Sequence, residues 1–142
     1  MKIAVASDHR GFVLKNEIIS SLKQYDVVDF GTHDEKSCDY PDYASKVAKA
    51  VASGEFERGI LICSTGVGMS IAANKVHGIR AALCLNERMA EQSREHIDSN
   101  VLVLGADMLS LKKAKAIVSK WISTEFSNEE RHARRIGKIE EL

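Results

Sequence analysis

Gly59-Ile-Leu-Ile-Cys63-Ser-Thr65-Gly66-Val-Gly68-Met-Ser-Ile-Ala-Ala-Asn74-Lys75 runs from a short apolar segment, through a turn of small residues, into a segment with helical character. Ile60 to Ile62 read as a buried strand. Gly66 and Gly68 allow positive φ and let the backbone approach a ligand closely. A strand ending in Cys-Ser-Thr-Gly-x-Gly brings a thiol, two hydroxyls and backbone N–H groups to one point. In an open α/β sheet that point, outside the carboxyl ends of the strands, is where ligands bind. The stretch therefore offers a nucleophile or base beside an anion cradle.

The same alternation recurs on either side. Lys2 to Ala6 reads as a strand, followed by the turn Ser7-Asp8-His9-Arg10-Gly11. Phe12 to Leu22 carries Leu14, Ile18, Ile19 and Leu22 at helical spacing. Val27 to Phe30 is a second strand, and Thr32 to Tyr40 is a polar loop long enough to suggest a function. Pro41 suits the first turn of a helix that reaches about Ser53 on Tyr43, Val47, Ala50 and Val51. Beyond the glycine turn a short helix is predicted over Ser70 to Val76, then a fourth strand over Arg80 to Leu85. Asn86 caps a helix through about His96, and Asn100 to Leu104 is the fifth strand. Ser110 caps a helix that turns Leu111, Ala114, Ile117, Val118 and Trp121 inward, and a polar segment with some helical pattern follows. Strand–helix–strand crossovers are right-handed, so five strands alternating with helices predict an α/β fold, a parallel sheet covered on both faces. Its strands point their carboxyl ends one way, which brings Asp8, His9 and Cys63 to one rim.

Composition bounds the function. The 142 residues fit one domain, 1–142, and 20 lysines and arginines balance 20 aspartates and glutamates, so no global field attracts nucleic acid or an acidic membrane. No apolar run has transmembrane length, and the N-terminus does not read as a signal peptide. Cys38, Cys63 and Cys84 are odd in number and far apart, which argues against a disulfide framework or a zinc site and fits the cytoplasm. Cys38 and Cys84 read as structural or incidental. Arg131-His132-Ala-Arg134-Arg135 is the one basic cluster, suited to a small anion.

Each reactive group also has a plainer reading. Cys63 could be a small buried hydrophobe, Asp8-His9 a helix cap, His96 a cation at a helix C-terminus, and the arginines a solvated face. Taken together they describe more. A helix N-terminus and backbone N–H donors favour a thiolate, and a thiolate can take a proton from the carbon beside a carbonyl. The N–H groups of Ser64 to Gly68 would hold the developing enediolate oxygen, while histidine and arginine neutralise a phosphate of about −1.5 to −2 charges. The joint reading is an aldose–ketose isomerase acting on a phosphosugar, with no metal and no cofactor. Nucleotide binding is the rival: Gly66-Val-Gly68 lies between a strand and a helix, and Glu87 lies downstream. Against it, Ile71 stands where the third glycine would be, and no Gly-Lys-Ser/Thr closes the loop.

With these residues in view, the chain resembles the type B ribose-5-phosphate isomerases, in the family shared with galactose-6-phosphate isomerase subunits. The resemblance rests on Ser7-Asp8-His9-x-Gly11-Phe12-x-Leu14-Lys15, Gly31-Thr32, Asp39-Tyr40-Pro41-Asp42-Tyr43-Ala44, the Gly59–Lys75 stretch, Gly78-Ile79-Arg80-Ala81, Ser93-Arg94-x-His96 and Arg131-His132-x-x-Arg135-Ile136. It implies a Rossmann-like three-layer α/β/α sandwich on a five-stranded parallel sheet, and interconversion of ribose 5-phosphate and ribulose 5-phosphate through an enediolate. It further implies Cys63 as the base, Thr65 and the glycine-turn N–H groups (Ser64, Gly66, Val67, Gly68) at the enediolate, and His96 in ring opening. Asp8 would bind sugar hydroxyls, His9, Arg131 and Arg135 the phosphate, and Tyr40 and Asn74 would line the pocket. A homodimer or homotetramer is implied, with His96 serving a neighbour's Cys63. Met69 stands where one branch of the family has a glutamate, so the chain falls in the cysteine branch, and His96, generally lacking in the galactose-6-phosphate isomerase subunits, favours the ribose enzyme, with a six-carbon (allose or galactose 6-phosphate) isomerase as the alternative. Three positions depart from the pattern: Ile97 replaces an asparagine, Ser64 a glycine, and Asp107 a phosphate-binding arginine, which leaves the phosphate to His9, Arg131 and Arg135.

Overall fold

Strands buried on both faces read as continuous apolar runs rather than alternating ones, and the central strands here are of that kind. The computed structural model describes residues 1–142. Its strands are β1 (Lys2–Ser7), β2 (Asp26–Asp29), β3 (Arg58–Cys63), β4 (Ala81–Leu83) and β5 (Val101–Gly105). Its helices are α1 (Phe12–Ser20), α2 (Tyr40–Ala52), α3 (Val67–Ala73), α4 (Glu87–Ile97), α5 (Leu111–Ser123) and α6 (Glu130–Glu140). The strands form one parallel sheet in the order β2-β1-β3-β5-β4. None of the helices is long and apolar enough to cross a membrane.

Alternate residues divide the core into two layers. Ile3, Val5, Ile60, Ile62, Leu102 and Leu104 face α1, α4 and α5, where Ile18, Ala90, Ile117 and Trp121 complete the packing. Ala4, Ala6, Leu61, Val101 and Val103 face α2 and α3, against Val47, Val51 and Met69. Each fully buried valine, leucine or isoleucine side chain among them contributes about 1.5–3 kcal/mol relative to leaving it exposed. From β1 the chain winds outward to β2, and from β3 it winds the other way to β4. The strand order thus reverses between β1 and β3, and the loops leaving their carboxyl ends diverge around a crevice.

Several boundaries differ from the sequence reading, each for a local reason. α3 begins at Val67, not Ser70, because Gly66 takes the left-handed conformation (φ 83°) and turns the chain directly into the helix. Gly68 is therefore helical and does not use positive φ. Leu111, the first residue of α5, is 41% exposed rather than turned inward. β4 is only three residues long. The polar C-terminal segment becomes a regular helix, α6, which turns His132 inward and leaves its arginines exposed.

Candidate active site

The crevice between β1 and β3 is lined by residues whose placement follows from strand register. Ser7 pairs with Ile62, so Asp8 and Cys63 leave adjacent strand ends on the same side of the sheet. Asp8 is 5% exposed, and its Oδ1 accepts from the Arg10 and Gly11 N–H groups at 2.9 and 3.1 Å. The helix-cap reading of Asp8 is therefore correct, yet Oδ2 carries no partner in the chain. Gly11 closes this turn against β3: a Cβ there would lie 2.7 Å from the Ile62 carbonyl oxygen.

Cys63 is 5% exposed, and its sulfur accepts the Gly66 N–H at 3.2 Å. The Thr65 hydroxyl oxygen accepts from Val67 N–H at 3.3 Å, which leaves its proton to be donated. At the opening of α3 the N–H groups of Gly68 and Met69 have no acceptor within the chain. A thiol and unclaimed donors thus sit around one turn. Tyr40 covers Gly68, where a Cβ would fall 2.5 Å from the phenol ring. The second glycine of Gly66-Val-Gly68 makes room for an aromatic ring rather than a pyrophosphate, which removes support from the dinucleotide reading.

His9 is half-buried, and its Nδ1 accepts the Cys38 N–H at 3.3 Å, with the Cys38 sulfur 3.9 Å away. In the neutral imidazole this puts the proton on Nε2. Cys38, read from sequence as incidental, is the point where the Thr32–Tyr40 loop holds His9. Ser64 donates its hydroxyl to Asp107 Oδ2 at 2.5 Å, and Arg10 Nη2 donates to the same oxygen at 3.0 Å. The Ser64 hydrogen bond first, and the Arg10 hydrogen bond second, hold the Asp107 carboxyl below the usual carboxylate range.

The remaining expected site residues lie elsewhere in the same chain. Asn74 ends α3, and its amide is paired on both sides with the Ala81 backbone, at 2.8 and 3.0 Å, where β4 begins. His96 is near the end of α4, just before β5 starts at Val101, whereas Cys63 pairs with Gly105 at the other end of β5. At about 3.3 Å per residue the two ends of β5 are about 13 Å apart, so Cys63 and His96 occupy opposite rims of the sheet. His96 stacks on His132 of α6, with ring centroids 4.2 Å apart. Burial above all, then His96, Arg131 and Arg135, push the His132 imidazole below its ordinary range against a smaller upward pull from Glu129. Arg131 pairs with Glu129 at 3.0 Å and Arg134 with Glu130 at 2.6 Å, while Arg135 has no ion-pair partner. Asp98 and Asn100 serve the fold: Asp98 ends α4 and pairs with Arg94 and Arg80, and Asn100 holds the Gly78–Arg80 backbone.

One partnership is not given by the spacing of the residues, and one cysteine fits its structural reading. Lys15 is fully buried, and its ammonium contacts both Asp29 oxygens at 2.7 Å, fixing α1 to the end of β2. Asp29 in turn accepts from Gly31 N–H. Cys84 is buried, and burial pushes its thiol up to about 11, so it is an inert core residue. No three His, Cys, Asp or Glu side chains converge on a point where a metal ion could be held.

The family model described as Ribose/Galactose Isomerase matches residues 3–139. Ribose-5-phosphate isomerase B of Escherichia coli (strain K12) is 49% identical over 97% of this chain and 93% of its own length. The solved ribose-5-phosphate isomerase B of Clostridium thermocellum superposes with a TM-score of 0.97 at 57% identity, covering 99% of this chain and 96% of the other. That of Mycoplasma genitalium, solved with bound ribulose 5-phosphate, gives a TM-score of 0.94 at 42% identity over 99% of this chain and 94% of its own. With its parallel sheet, its thiol at the strand-order reversal and these similarities over nearly its whole length, the chain belongs to the ribose/galactose isomerase family.

Proposed function

We propose that the chain interconverts ribose 5-phosphate and ribulose 5-phosphate, with Cys63 as the base. The observation that carries the assignment of roles is the Cys63 sulfur beside the Gly66 N–H, on the same side of the sheet as the free Asp8 oxygen. In the open-chain aldose, the thiolate takes the proton from C2, and the electron pair moves to make the C1–C2 double bond of an enediolate. The Thr65 hydroxyl and the free N–H group of Gly68 are the donors available to its oxygens. A proton passes from the C2 oxygen to the C1 oxygen, and the Cys63 thiol returns its proton to C1. Atoms and charge balance without an oxidant, a metal or a cofactor, so turnover should persist in EDTA.

On this reading Asp8 binds sugar hydroxyls, Tyr40 lines the pocket, and His9, Arg131 and Arg135 bind the phosphate, while Asn74, its amide paired with Ala81 at the other rim, could line a pocket only from the partner subunit. His96 opens the sugar ring. The separation of Cys63 from His96 supports a site shared between subunits, in which the partner's His96, Arg131 and Arg135 meet this chain's Cys63 in a homodimer or homotetramer. The protein would be a single cytoplasmic phosphosugar isomerase domain of the non-oxidative pentose phosphate pathway. Incubating ribose 5-phosphate with the protein in deuterated water, followed by NMR, tests chemistry and substrate together. Deuterium entering at the carbon beside the carbonyl is the expected result. Binding without exchange would reduce the chain to a phosphosugar sensor, and exchange only with galactose or allose 6-phosphate would move it to six-carbon substrates.

A further inference from the structure

The turn that carries Asp8 and His9 also carries a cation that the proposed reaction has not yet used. Arg10 follows His9 directly, and its guanidinium reaches 97 residues along the sequence to Asp107, in the short turn after β5. Asp107 is itself tied to the loop after the base: it accepts the Ser64 hydroxyl on Oδ2, and its own N–H donates to the Ser64 carbonyl at 2.9 Å. One carboxylate oxygen therefore joins the residue after His9 to the residue after Cys63. Both loops of the crevice are linked through it.

Arg10 is pinned but far from saturated. A guanidinium has five N–H donors, and only Nη2 has a partner here, Asp107 Oδ2. Its side chain is 58% exposed, so the remaining edge faces solvent. An exposed ion pair of this kind contributes little to stability, and the fold gives it no packing duty, since Gly11 and Asp8 already close the turn. Its position suits another task. A guanidinium presents a planar, paired set of donors that matches phosphate oxygens. Holding it by one nitrogen removes part of the rotamer freedom that a free arginine would lose on binding.

We propose that Arg10 is a contact for the substrate phosphate in this chain, with Asp107 as the residue that positions it. The inference rests on the phosphosugar reading above. It gives each chain a two-residue anion clamp of its own, the His9 imidazole and the Arg10 guanidinium on consecutive residues of one turn, before any residue of α6 is added.

The test uses the full-length protein and two probes, inorganic phosphate by titration calorimetry and ribose 5-phosphate by steady-state kinetics. Arg10→Ala should weaken phosphate binding about tenfold and raise KM for ribose 5-phosphate by a similar factor, with a smaller loss in kcat. Arg10→Lys should recover part of the loss, since it restores charge without the paired donors. In an Asp107→Ala background the same Arg10→Ala change should cost no more than about threefold, because the cation is no longer held. Unchanged phosphate affinity and KM in Arg10→Ala would overturn the proposal and leave a surface ion pair. An equal penalty with and without Asp107 would overturn the positioning role. A parent protein that binds phosphate but does not isomerise ribose 5-phosphate would defeat the isomerase reading instead, and the calorimetric comparison would still decide the role of Arg10.

Discussion

The imidazoles of His96 and His132 lie face to face, their centroids 4.2 Å apart and their planes 12° from parallel. His132 is buried, and its Nε2 has no hydrogen-bond partner. Burial, the stacked His96 and the nearby Arg131 and Arg135 push its imidazole below the ordinary histidine range in the folded chain. Through it, the helix that carries Arg131 and Arg135 rests on the helix that carries His96.

This arrangement makes stability depend on pH with a definite sign. A histidine depressed in the folded state binds its proton first in the unfolded one, so its contribution is present above the unfolded value of about 6.5 and is lost as pH falls below it toward the folded value. Lowering pH from about 7.5 to about 5.5 should therefore reduce the melting temperature. The reduction should be smaller in His132→Phe, which keeps a stacked ring without the titration. An equal drop in both would exclude His132 as the source.

Cys63→Ala removes the proposed base and one small buried sulfur. The melting temperature should stay close to that of the parent, while kcat for ribose 5-phosphate falls by at least about 10²-fold. Deuterium exchange from solvent should fall with it. Full exchange in this variant would move the base to another residue.

Gly66→Ala should damage both fold and chemistry. At φ 83° an added Cβ is strained by about 1–2 kcal/mol, and it would meet Leu83 Cδ1 at 2.5 Å and the Leu104 carbonyl carbon at 3.2 Å. Relieving that contact displaces the N–H that bonds to Cys63. A lowered melting temperature together with a kcat loss is the expected outcome, and a fully active variant would separate that hydrogen bond from catalysis.

Lys15→Met isolates the ion pair between α1 and β2. The methionine roughly fills the volume but strands Asp29, which keeps the Gly31 N–H and partial access to water. Breaking a fully buried pair costs about 3–5 kcal/mol; with Asp29 partly solvated, about 1–3 kcal/mol is expected in chemical denaturation. A neutral result would mean that the buried ammonium gains no net stability from its partner.

The fold was legible because its determinants are local. Ile3–Ala6, Ile60–Ile62 and Val101–Leu104 are short, apolar and bounded by turns, and Asn86 and Ser110 do cap their helices, accepting from Met89 and Lys113 N–H. The shared rim of Asp8, His9 and Cys63 followed from parallel strands alone. Helix onsets at glycine did not follow, since the sequence does not say which of Gly66 and Gly68 takes positive φ. Partnerships across long sequence separations were equally hidden. Nothing near Cys38 points to His9, nothing near Arg10 points to Asp107, and nothing near Lys15 points to Asp29.

The placement of Cys63 and His96 at opposite rims has a consequence for genetics as much as for chemistry. On the proposed two-fold assembly, each polypeptide donates a thiol to one centre and an imidazole to the other, so competence belongs to the pair. Chains carrying Cys63→Ala and chains carrying His96→Ala would each be silent alone. Unfolded together and re-paired at random, half of the dimers would be hybrids with one of two centres whole, restoring about a quarter of the parental rate. Two defective alleles of one gene would then rescue each other, and a compound that prised the subunits apart would inhibit without occupying the sugar site.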